Sequence, residues 1–158
     1  MILDIDIDGW PPSTDWPDLA ERAVEAAQKV APELTNQRLT ASLLFTLDQD
    51  VQFLNREWRS KDTATNVLSF PMMTREELLA LAPDGGPEML GDLALAYETC
   101  SREAADKGIP VADHAAHLII HGLLHLAGHD HVHSDDEADA MERLEINALA
   151  IMGLSDPY

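Results

Sequence analysis

A chain of 158 residues has the size of one compact domain and is long enough to bury a sizeable core. Its formal net charge of -19 argues against indiscriminate binding to nucleic acid, because attraction for phosphate supplies most non-specific affinity. A single cysteine, Cys100, leaves no internal disulfide, and neither a basic leader nor a membrane-length apolar run is visible, so the expectation is a soluble cytoplasmic protein without a membrane partner.

From Ile2, "ILDIDID" alternates apolar and acidic residues with period two, the pattern of a strand with one buried face. After the turn "WPPST", residues Trp16, Leu19, Ala20, Ala23, Val24, Ala27 and Val30 recur at helical spacing until Pro32 ends the run. "RLTASLLFTL" reads as a second strand. "DQDVQFLNREWR" follows as a helix that Asp48 or Asp50 can cap, with Val51, Leu54 and Trp58 on one face. "TNVLSF", ending at Pro71, is a third strand. Residues 72–88 read as a connection with a helix-like turn and then a Pro-Gly cluster, 83–87 being linker-like.

"LGDLALA" is the fourth strand, and "YETCSREAADKG" a helix closed by Gly108, on which Cys100 is expected to be a small, partly buried apolar residue. A helix from about Val111 to Ala127 carries a run of histidines. The last helix, "SDDEADAMERLEINALAIMG", opens on a Ser134/Glu137 capping box and has Met141, Leu144, Ala148 and Ile151 as its apolar stripe. The expected fold class is α+β (α/β-like): a single domain over residues 1–158, with a small mixed four-stranded sheet covered by about five helices.

All seven histidines lie between positions 114 and 133, and "HGLLHLAGHDH" holds three of them in a zinc-protease frame. Positions four apart on a helix are rotated by only ~40°, so His121 and His125 project side by side and can share a tetrahedral ion. Gly128 can end the helix in a left-handed turn that gives His131 a path to the same metal, a zinc site on a helix-turn near the C-terminus. Three neutral imidazoles leave a fourth position for water, the pattern of catalytic zinc, although nickel, iron or copper also accept such a set. Gly122 stands where a protease has its catalytic glutamate. His114 and His117, further back, read as cleft-lining groups, Asp130 as an orienting partner for an imidazole, and His133 as part of the loop into the last helix.

Between Val51 and Arg75, the cations Arg56, Arg59, Lys61 and Arg75 oppose only Glu57 and Asp62, so this segment is where a polyanion should land. Arg56, Arg59 and Lys61 can hold the phosphates of such a polyanion. Asn66 and Ser69 are expected to satisfy backbone near the cleft, and Asp92 to be structural.

Together "HGLLHLAGHDH", "NREWRSKDTATNVLSFP" and "LGDLALA" resemble the YbeY family of bacterial metal-dependent endoribonucleases. The likeness runs from about Val51 to the final helix; the first fifty residues share only the strand-helix-strand pattern. The resemblance implies one zinc ion on His121, His125 and His131, with Arg59 facing the metal cleft as the catalytic group alongside the metal-bearing His121, suited to a developing phosphate charge. It also implies single-strand-specific RNA cleavage in ribosomal RNA maturation, at the 3′ end of the small-subunit RNA, and in ribosome quality control. Expected partners are ribosomal RNA and ribosomal particles, with ribosomal-protein or GTPase partners and no DNA. Ala64, where the family commonly has Pro, and His129, where it often has Tyr, are departures that remove no ligand. Two other classes stay open: a metalloprotease with Asp130 or His129 as base, and a non-catalytic metal-binding ribosome-assembly factor.

Overall fold

Tryptophan, leucine and alanine at helical spacing make the first helix, and alternating apolar residues make the strands it covers. The computed structural model describes residues 1–130 and 134–158. In chain order the elements are β1 (Ile2–Ile7), α1 (Trp16–Val30), a 3-10 turn (Pro32–Thr35), β2 (Leu39–Thr46), α2 (Asp48–Arg59), β3 (Val67–Pro71), α3 (Arg75–Ala80), β4 (Glu88–Ala96), α4 (Tyr97–Lys107), α5 (Val111–Leu126) and α6 (Asp135–Ile151). The strands form one mixed sheet in the order β1-β2-β4-β3, parallel except for β3, which pairs antiparallel with β4 at an edge. This is the small mixed four-stranded sheet of an α+β domain. No described helix is long and apolar enough to cross a membrane.

Alternation along β2 and β4 divides the sheet into two unequal faces. Leu43, Phe45, Leu93 and Leu95 point into the main core, which α1, α5 and α6 close with Ala20, Ala23, Ile119, Ile120, Leu123, Leu124 and Ala148. Trp10 seals one end: its indole donates to the Thr46 carbonyl at 2.7 Å and lies edge-on to Trp16 and Phe45. The other face carries only a small cluster, Leu68, Ala94 and Ala96 under Val51 of α2, with Leu44, Leu54 and Phe70 partly buried beside it. That face is incompletely covered. Trp58, on the same helical stripe as Val51 and Leu54, is 74% exposed.

Several local expectations change. The segment read as a connection contains α3, because Thr74 and Glu77 form a reciprocal capping box. The helices therefore number six among the described residues. Neither Asp48 nor Asp50 caps its own helix: the Asp48 carboxylate accepts from the backbone and hydroxyl of Thr99 in the first turn of α4, while Glu98 accepts from the Asp48 backbone at 2.7 Å. The two helix starts thus satisfy each other. Cys100 is wholly buried, and burial, then the charge of Glu103, push its thiol up to about 12, so it packs as an apolar residue. Gly91 lies at the β2/β4 register shift with φ 155°, where a Cβ would stand 2.5 Å from the Phe70 carbonyl oxygen.

Candidate functional site

The histidine helix is placed by its apolar residues. Ala115, Ala116, Ile119, Ile120, Leu123 and Leu124 of α5 are all fully buried, and a Cβ on Gly122 would sit 2.7 Å from the Leu93 side chain of the sheet. With that side pressed on the core, His114, His117, His121 and His125 follow one another along the helix. The rings of His121 and His125 are centred 4.6 Å apart, and their Nε2 atoms approach to 3.1 Å.

Behind this pair stands Glu145 of α6, 1% exposed. It accepts hydrogen bonds from His117 Nε2 at 3.0 Å, His121 Nδ1 at 2.8 Å and the Tyr158 hydroxyl at 2.8 Å. Burial raises its carboxyl pKa, but the bonds from His117 and His121, the His121 charge and the Tyr158 bond outweigh it and hold the group at about 2. Burial and the Glu145 charge in turn push the Tyr158 phenol up. A carboxylate fixed in this way keeps the His121 proton on Nδ1 and leaves Nε2 to face His125, the arrangement in which second ligands orient metal-binding imidazoles. Glu145 was missed in the sequence. Its signal was there, as a glutamate four residues after Met141 and three before Ala148, inside the stripe that α6 buries: Met141, Glu145, Ala148 and Leu149, rather than Leu144 and the exposed Ile151.

Two imidazole nitrogens bound tetrahedrally to zinc at about 2.0–2.1 Å lie about 3.3 Å apart. The spacing of His121 and His125 fits that requirement. Among the described residues no three His, Cys, Asp or Glu side chains converge as a metal set. His131, the third ligand of the expected set, and His133 lie outside the described residues.

A cleft of about 410 Å³ opens beside His121, lined also by Asn66, Glu103, Lys107, His114, His117 and Tyr158. His114 and His117 thus line the cleft and are both buried. His114 hydrogen-bonds Glu103 at 2.8 Å, and burial lowers its pKa despite that carboxylate, keeping the imidazole neutral. Asn66 donates to Glu103 at 3.0 Å and accepts from the Val67 backbone, joining the start of β3 to α4. Ser69 of β3 pairs with Leu93 of β4, and Asp92 accepts from the Ser42 hydroxyl on the opposite, α2-covered face of the sheet.

The turn after α5 is built as its glycine suggests. Gly128 has φ 90°, its N–H donates to the His125 carbonyl, and the next N–H reaches back to Leu124. His129, weighed as a protease base, is instead bonded to Glu33 at 2.8 Å. Arg75 completes that cluster with contacts to Glu33 at 3.1 Å and the Ala127 carbonyl at 2.7 Å. Glu33 pays the penalty of burial, yet its own backbone N–H, His129 and Arg75 hold its pKa below the ordinary value.

Arg75 therefore belongs to this turn and not to the basic segment, which keeps Arg56, Arg59 and Lys61 against Glu57 and Asp62. All three cations are exposed at or just beyond the end of α2, outside the group of residues that line the cleft beside His121. Arg56 lies over the Phe53 ring and within 3.5 Å of Glu57 and 3.8 Å of Asp62. Among the described residues neither Arg59 nor Lys61 has an ion-pair partner.

Fold and site together define a small α+β protein whose core helix carries an imidazole pair, braced by a buried carboxylate, with His121 of the pair at the edge of an open polar cleft. A sequence profile described as endoribonuclease YbeY matches residues 8–153. The protein of that name from Erythrobacter litoralis is 58% identical over 100% of this chain and 98% of its own length. That of Novosphingobium aromaticivorans is 56% identical over 99% and 95%. The solution structure of TM1509 from Thermotoga maritima superposes with a TM-score of 0.59 at 19% identity, over 99% of this chain and 98% of that one, a likeness of fold. The chain belongs to the endoribonuclease YbeY family.

Proposed function

We propose that this chain is a zinc-dependent endoribonuclease that cuts single-stranded RNA in ribosomal RNA maturation, at the 3′ end of the small-subunit RNA, and in ribosome quality control. It works in the cytoplasm on ribosomal particles, with ribosomal-protein or GTPase partners. The observation that carries the reading is the His121/His125 pair, two converging nitrogens backed by Glu145, in a chain whose relatives are named endoribonucleases. His131 is the third ligand in this proposal. A zinc ion held by His121, His125 and His131 would supply Lewis-acid chemistry for hydrolysis near neutral pH.

The remaining work falls to side chains. Glu145 fixes the His121 tautomer, and the low pKa of its carboxyl keeps it an acceptor at neutral pH. Arg59, which has no ion-pair partner among the described residues, is available to place a planar set of donors on a phosphate whose charge grows in the transition state. Arg56 and Lys61 hold neighbouring phosphates. Gly122 faces Leu93 rather than offering a carboxylate to the cleft, which disfavours peptide hydrolysis by the usual route.

Metal-loaded protein should cleave structured ribosomal RNA and spare casein, and a chelator should stop the cleavage. Casein cut while RNA stays intact would overturn the reading. Arg59→Ala should lose about a hundredfold in cleavage rate while keeping zinc content and melting temperature, with Arg59→Lys restoring only part. An unchanged rate for Arg59→Ala removes the residue from the mechanism.

A further inference from the structure

The sheet face away from α5 is only partly roofed by α2, and the gap is a cavity of about 400 Å³ lined by Leu44, Leu54, Trp58, Phe70, Met72 and Ala94. Trp58 and Met72 at its rim are 74% and 59% exposed. Large apolar side chains gathered around a concave surface are unusual on a monomer without a use for them. The floor is not wholly apolar: Asp92 and Ser42, hydrogen-bonded to each other, also line it. The occupant must therefore bring a flat apolar face and a polar edge.

Charge selects among such occupants. The chain carries -19 overall, yet the residue after Trp58 is Arg59, and Lys61 follows across the left-handed Ser60. Both lack an ion-pair partner among the described residues, and Arg56 lies one turn back. A basic peptide is repelled there and a neutral apolar one gains nothing from the cations. An unpaired nucleotide satisfies all three features: the base stacks on the indole, its polar edge meets Asp92 and Ser42, and its phosphate meets Lys61. We propose that this groove is a base-binding subsite for single-stranded RNA, with Trp58 as its stacking platform. The proposal rests on the endoribonuclease reading and adds a substrate contact on the sheet face opposite the histidine helix.

The chain contains its own reporter. Of its three tryptophans, Trp10 and Trp16 are 5% and 3% exposed, so quenching of tryptophan fluorescence by a ligand reports Trp58. Full-length protein kept in chelator, where no cleavage is expected, is titrated with a short fluorescein-labelled oligocytidylate and followed by anisotropy, and with the unlabelled oligomer for fluorescence. Binding should be saturable and quench the emission. Trp58→Ala should weaken it by about tenfold with an unchanged melting temperature, and Trp58→Phe should restore most of it. RNA that binds without quenching and equally to Trp58→Ala overturns the subsite, as does failure to bind RNA at all. Equal quenching by polyglutamate or by a blunt RNA duplex overturns it too, in favour of an acidic peptide or a non-selective phosphate surface. Cleavage by the metal-loaded protein is scored separately, so loss of the subsite leaves the nuclease reading to its own test.

Discussion

Gly122→Glu, the change that completes the zinc-protease motif, should cost the protein most or all of its stability. The glycine is buried, and a Cβ there would lie 2.7 Å from Cδ2 and 3.1 Å from Cδ1 of Leu93, itself 1% exposed in the centre of the sheet. Forcing extra atoms into such a contact costs about 1–3 kcal/mol, and an unpaired carboxylate held against leucine adds several more unless it takes up a proton. Domains of this kind are stable by only about 5–15 kcal/mol. Gly122→Ala separates the terms: it keeps the steric conflict and regains about 1 kcal/mol of helix propensity, so its net loss should be small. Urea unfolding followed by circular dichroism should order the three proteins as native, then Ala, then Glu far below. A Gly122→Glu protein with the native midpoint would show that α5 does not press this position onto Leu93.

Helix pitch alone places His121 beside His125, and their proximity was legible because it depends on nothing outside one helix. The strands themselves were legible in the same way, since each declares its pattern locally, while their order in the sheet was not. What one helix does to another was not. Asp48 looked like a cap for α2 but caps α4, because the helix starts meet only in the folded chain. Arg75 looked like part of a basic segment, yet it is drawn to Glu33, forty-two positions away. Glu145 was hidden for a further reason: a glutamate within an acidic helix reads as solvated surface, and only the position of its neighbours Met141 and Ala148 in the core reveals that it is buried. Trp58 failed in the opposite sense, as the periodicity that promised a buried stripe runs past the edge of the sheet it was meant to cover.

The sharpest expected result concerns metal affinity, where His125 and Glu145 should act differently. His125→Ala removes one of the two nitrogens that approach to 3.1 Å, and purified protein loaded with zinc should fall from one ion per chain towards none, with RNA cleavage lost alongside. Glu145→Gln leaves the fold's volume and an amide oxygen in place but replaces one carboxylate oxygen by a donor. The three groups bonded to Glu145, on His117, His121 and Tyr158, can then no longer all be accepted in their present orientation. His121 Nδ1 then meets at best a neutral amide oxygen in place of the charged carboxylate that holds its proton there, so zinc affinity of the metal-free protein, measured by competition with a chromophoric chelator, should drop by about ten- to a hundredfold. The cobalt-substituted protein provides a readout independent of activity, since its visible absorption follows ligand geometry and should weaken or shift in Glu145→Gln. A merely structural role for Glu145 predicts a lowered melting temperature with the cobalt spectrum and zinc affinity of the folded fraction unchanged. Unchanged affinity removes Glu145 as the orienting group, and full zinc occupancy in His125→Ala sinks the ligand assignment itself.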